Sequence, residues 1–175
     1  SSYPDEAYDE WFDALCEAYK EGMETLSIPE NISALNTLMT ATRVDDKHDE
    51  FFITGEHRKN VHHNRDMQRG FTKPGGLKST KPIYTENENT IFHSHPSLSP
   101  LSLNVKEDFY NPKNKIMGGD LGHVTSLNKN AFAINKNGDI FYSNPRLANV
   151  CLYNLKGCLP DDGQVYLGNI QDFIK

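Results

Sequence analysis

Apolar residues first recur at the helical interval between Asp5 and Leu26, as Ala7, Tyr8, Trp11, Phe12, Leu15, Tyr19, Met23 and Leu26, with acids and lysines between them. This predicts an amphipathic helix with Trp11 and Phe12 in the core and Cys16 on its apolar side. Ser27, followed by Pro29 and Glu30, reads as a capping box that restarts a second helix, whose apolar face is Ile32, Leu35, Leu38 and Met39. After the charged turn 45–49, the run from Glu50 through Phe51, Phe52, Ile53 and Thr54 to Gly55 is short, aromatic and β-branched, as a strand is. Residues 57–80 are polar, basic and punctuated by Gly70, Pro74, Gly75 and Gly76, which predicts a long loop. Two further strands are expected at 81–85 and 90–95, separated by a turn at 86–89 and ended by Pro96.

Turn chemistry fills 97–115, and Gly118-Gly119-Asp120 introduces a short helix over 121–127 with Asp120 near its start. Residues 131–135 and 139–142 flank Asn137-Gly138 and predict a β-hairpin with a type I′ turn. Val165, Tyr166 and Leu167, then Ile170, Phe173 and Ile174, supply a last strand or helix that covers a sheet edge. The fold class that follows is α/β, a mixed sheet with two helices at its start.

Length fits one domain over residues 1–175: N-terminal helices in 1–40, a core in 50–145 and a C-terminal extension in 146–175. With 37% hydrophobic and 24% charged residues, the chain has the makings of a packed core. The net charge of -6 argues against a protein that lives by neutralising phosphates, so no nucleic-acid partner is expected. No apolar run has the length of a membrane span, and the acidic start SSYPDEAYDEWF is unlike an export signal. The expectation is a soluble chain; the missing initiating Met reads as an excised domain or a trimmed chain. Cys16, Cys151 and Cys158 form no CxxC pair. Cys151 and Cys158 read as free, partly buried thiols, with a disulfide between them as the alternative in an oxidising setting.

His93-Ser94-His95-Pro96 carries the most chemical information. Side chains at i and i+2 of a strand share a face, so two imidazoles can aim at one point, and neutral imidazole is a good zinc ligand. Pro96 stops the strand at the second histidine, where active sites of sheet proteins collect. Downstream, Asp120 sits among Gly118, Gly119 and Gly122, where backbone can approach a metal closely.

At these residues the chain resembles the JAB/JAMM (MPN) zinc metalloproteases, whose signature is an early Glu, then His-x-His-Pro, then Ser-x-x-Asp. The order of elements looks most like the JAB-like domains of bacterial polymorphic toxins and effectors, over roughly residues 30–145. The resemblance implies an MPN-like sheet with a zinc site at its edge, His93, His95 and Asp120 as ligands, and Glu50 as general base. It also implies hydrolysis of a peptide or isopeptide amide in a protein substrate, such as a ubiquitin-like tail or a peptidoglycan peptide. Glu56 is the rival base and Asp108 the rival ligand. The family's Ser, three residues before the Asp, is replaced by Met117; Ser97, Ser99, Ser102 or the backbone of Gly118 and Gly119 are the candidates for oxyanion stabilisation. The stretch 97–117 is also longer than the family's spacing.

Two other readings compete. The Met117 departure suits a binding module that kept the fold and lost activity. His62 and His63, in a basic stretch with Arg58, Lys59, Arg65 and Arg69, suggest a metal-dependent nuclease, but the ββα pattern of HNH nucleases is missing there. His123, three residues after Asp120, is a candidate fourth metal ligand or a partner that hydrogen-bonds a ligand. Nothing in the sequence assigns substrate-binding residues or an oligomeric state.

Overall fold

The computed structural model of the chain describes residues 5–44, 52–54, 90–95, 121, 124–125, 128–154 and 160–174. Helices α1 (Asp5–Leu26) and α2 (Pro29–Val44) come first. The strands are β1 (Phe52–Thr54), β2 (Thr90–Ser94), β3 (Asn130–Ile134), β4 (Asp139–Ser143) and β5 (Val165–Asn169). They form one mixed sheet in the order β1-β2-β3-β4-β5, antiparallel except for the β2–β3 pair. Between β4 and β5 lie α3 (Pro145–Asn149), a π-helical turn over Val150–Asn154 and a 3-10 turn over Pro160–Gly163. The α/β class with a mixed sheet is therefore as expected, and among the described residues no helix is long and apolar enough to cross a membrane. The expected strand at 81–85 lies outside the described residues.

Alternation along the strands divides the core in two. Phe92, Phe132, Ile134, Ile140 and Tyr142 turn to α1 and α2 and pack with Leu35, Leu38 and Met39 of α2. Phe92 and Phe132, paired across the parallel register, stack with ring centroids 5.0 Å apart. Ala131 and Ala133 turn the other way and join Leu121, Val124, Ala148, Cys151 and Leu152 in a second cluster.

Helix α1 keeps the predicted length but not the predicted phase. Its buried residues are Ala14, Ala18, Gly22 and Leu26, a line of mostly small side chains that lets the helix lie close to the sheet. A Cβ at Gly22 would come within 2.8 Å of Leu167 on β5. Because that face is the buried one, Phe12 is 53% exposed and Cys16 is exposed, which corrects the expectation that both lie in the core. Trp11 is half-buried and packs against both clusters, its indole N–H donating to the Asp162 carbonyl at 2.6 Å.

Two turns also differ from expectation. The Ser27 hydroxyl donates to the Glu24 carbonyl at 2.5 Å, so it closes α1 instead of capping α2. In the β3–β4 hairpin, Gly138 N–H donates to the Asn135 carbonyl at 2.9 Å, and Gly138 has φ +91° while Asn137 has no positive φ. A type I′ turn needs positive φ at both central residues; the observed geometry is a three-residue loop with glycine in the left-handed position. Asn135 selects it, because its side-chain oxygen accepts the N–H groups of Asn137 and Asp139 at 2.9 and 3.1 Å.

Cys151 is disulfide-bonded and fully buried, which corrects the free-thiol reading for that residue; Cys158 lies outside the described residues.

Candidate metal centre

The candidate site begins with β2. His93 is buried, His95 is half-buried, and both leave the strand on the face that carries Ala131 and Ala133. The pairing explains the room they have. His93 stands beside Ala133 in the β2–β3 register, and a methyl group there leaves space for an imidazole where a larger side chain would fill it. His95 continues the strand geometry past its last paired residue, its N–H donating to the Ile134 carbonyl at 2.9 Å.

The two rings converge. Their centroids are 5.0 Å apart with planes at 55°, and His93 Nε2 lies 3.1 Å from His95 Nε2. Two nitrogens bound at about 2.05 Å to one tetrahedral zinc ion stand about 3.3 Å apart, so this pair already has close to the spacing of two ligands. In the absence of a metal the same separation suits an N–H···N hydrogen bond between neutral rings, with one tautomer donating. Both accounts require the rings to face one point from one strand face, and the sequence spacing predicts that.

Between the histidines, Ser94 points the opposite way into the helix-covered core. It is fully buried, and its hydroxyl accepts from Thr42 of α2 at 2.5 Å. That bond ties the strand from behind to α2 and fixes the height at which the histidines emerge. The spacing of the histidines assigns Ser94 no role. The signal was available: a polar residue at a core-facing strand position needs a buried partner, and Thr42 is a polar residue within the second helix.

The other candidates enter this geometry through their neighbours in sequence. Leu121, one residue after Asp120, is helical and fully buried in the cluster of Ala131 and Ala133, on the histidine side of the sheet. Phe52 pairs with His93, so the start of β1 adjoins the end of β2, and Glu50 is two residues upstream of that start. Asp120 and Glu50 themselves lie outside the described residues, as do Glu56, His62, His63, Ser97, Ser99, Ser102, Asp108, Met117 and His123. Among the described residues, no third His, Cys, Asp or Glu joins the histidine pair in a metal-holding group.

No protein-family profile, curated protein or solved structure matches the chain.

Proposed function

We propose that the chain is an MPN (JAB)-like zinc hydrolase domain that cleaves an amide bond in a peptide or isopeptide, with His93, His95 and Asp120 holding the metal. The observation that carries the reading is the 3.1 Å approach of the two Nε2 atoms on one strand face. Two features lend support. A helical residue immediately after Asp120 is buried on the histidine side of the sheet, and the strand that follows Glu50 pairs with the histidine strand. Zinc held there would supply a Lewis acid for a substrate carbonyl and a water acidified to a pKa of about 7.

The protein's own groups do the rest. His93, packed behind, sets the depth of the site, and His95, half-exposed, forms its rim. Glu50 takes a proton from the attacking water and delivers it to the leaving nitrogen, the role a carboxylate beside a reacting amide performs. Oxyanion stabilisation falls to Ser97, Ser99, Ser102 or the Gly118-Gly119 backbone, since the Met117 side chain has no donor to replace a serine hydroxyl. A module of a larger secreted toxin or effector is the setting that this reading suits. Met117 also motivates a second reading, a zinc-binding module without catalysis.

The two separate on amide substrates of three kinds: unstructured peptides, isopeptide-linked ubiquitin dimers and peptidoglycan crosslink peptides. Hydrolysis of one of them by the wild-type chain is expected, abolished in Glu50→Gln with its metal content unchanged. Activity retained in Glu50→Gln would remove Glu50 as the base, and metal binding without hydrolysis of any substrate would favour the binding module.

A further inference from the structure

The phase of α1 leaves a second surface that the amide-hydrolase reading does not use. Tyr8, Phe12, Cys16 and Tyr19 follow one another at helical spacing along one stripe, and all four are exposed. Large apolar side chains gathered contiguously on one exposed stripe are a kind of surface that interaction sites use. The stripe runs beside β5, at the opposite end of the sheet from β1 and separated from the histidine strand by β3 and β4. Between α1 and β5 is a cleft of about 430 Å³ lined by Leu15, Cys16, Tyr19, Gln164, Val165 and Tyr166. Among the described residues β5 pairs only with β4, so no other described strand takes up its outer edge along this cleft.

We propose that this cleft binds an extended, basic peptide segment of a partner protein, which adds to the outer edge of β5 and seats an apolar side chain against Tyr19. A groove between an edge strand and a helix suits strand addition: main-chain hydrogen bonds give affinity and alternate side chains give selectivity.

Charge decides what kind of strand. Asp5, Asp9 and Asp13 flank the aromatic stripe on α1, whose single basic residue is Lys20. On the reverse face of β5, where Tyr166 packs against Phe141, the field is also negative. Burial, and then the Asp139 carboxylate that accepts from its hydroxyl at 3.3 Å, hold the Tyr166 proton on above the usual tyrosine range, with Asp172 adding to the effect. An acidic or neutral segment would gain nothing from the α1 acids, whereas lysines or arginines on an added strand would meet those carboxylates. The same charges disfavour a second copy of the chain at this edge, since each copy brings a net charge of -6.

Cys16 supplies the readout, because it is a free thiol exposed in the cleft wall. The probe is a labelled, end-blocked hexapeptide of sequence Lys-Val-Lys-Leu-Lys-Val, with its Glu-Val-Glu-Leu-Glu-Val counterpart as control. Binding is followed by fluorescence anisotropy and by the rate at which iodoacetamide alkylates Cys16, resolved by mass spectrometry of the intact chain. The basic peptide should bind saturably and slow alkylation, and Tyr19→Ala, a change at an exposed position, should weaken binding about fivefold or more. Equal binding of both peptides, binding that leaves Cys16 unprotected, or no binding would overturn the proposal. So would protection of Cys16 that grows with protein concentration alone, which would give the edge to a second copy.

Discussion

The face of the sheet turned toward α1 and α2 carries Phe92, Phe132 and Tyr142, whereas the face bearing His93 and His95 carries Ala131 and Ala133. On the first, large rings fill the space between sheet and helices, and stability comes from burial and ring packing. On the second, alanines keep the surface low beside the histidines, so two polar rings can converge. A single strand serves both ends: Phe92 and Ser94 anchor it to the helical layer while His93 and His95 present chemistry on the reverse. The lesson is that the helical layer holds the strand and the alanines leave the site its room, so damage to the two faces should have different consequences.

The largest effect is expected on the aromatic face. Phe132→Ala removes a fully buried ring that contacts both Phe92 and Tyr142, and should cost about 3–5 kcal/mol in urea denaturation. A loss near zero would mean that the ring stack contributes little to the fold.

A change in the opposite direction probes the histidine face. Ala133→Leu adds bulk beside His93 at a fully buried position and should cost about 1–3 kcal/mol by overpacking. Its sharper consequence is on zinc titration, where affinity should fall far more than stability does. If the variant bound zinc like the wild type, the room beside Ala133 would have no part in the site.

Tyr142 gives the smallest effect and a pH signature. Burial, and then its hydrogen bond to the Glu21 carboxylate of α1, hold its phenol far above the ordinary tyrosine range. A folded-state pKa raised above the unfolded value means that the stabilisation is fully present below pH about 10 and is lost as pH rises beyond that. Tyr142→Phe should therefore cost about 1 kcal/mol at neutral pH and show a shallower alkaline fall in stability than the wild type. Identical alkaline profiles would dissociate the Tyr142–Glu21 bond from stability.

The parts of this architecture legible in the sequence are those fixed by short-range spacing. The extent of α1, the β3–β4 hairpin and the convergence of two histidines from alternate strand positions all follow from periods of 3.6 and 2. What was not legible depends on which neighbour arrives. The phase of α1 turned on Ala14, Ala18 and Gly22, residues whose value lies in how closely they let the sheet approach and not in their own hydrophobicity. Asn135 redirected the hairpin turn through its side chain, a local competition that the Asn137-Gly138 pair alone does not reveal. The Thr42–Ser94 bond joins residues 52 positions apart and needed the helix to be set against the strand before it could be seen. The Cys151 disulfide likewise could not be read from spacing, because sequence distance says nothing about the separation of the sulfurs.

The central claim is that His93 and His95 are metal ligands and not simply a hydrogen-bonded pair, and elemental analysis of the folded chain after exposure to zinc at neutral pH tests it most directly. About one zinc per chain is expected, lost in His95→Ala and Asp120→Ala while circular dichroism shows the fold retained. A folded wild-type chain that holds no zinc, or a His95→Ala chain that holds as much as the wild type, would contradict it.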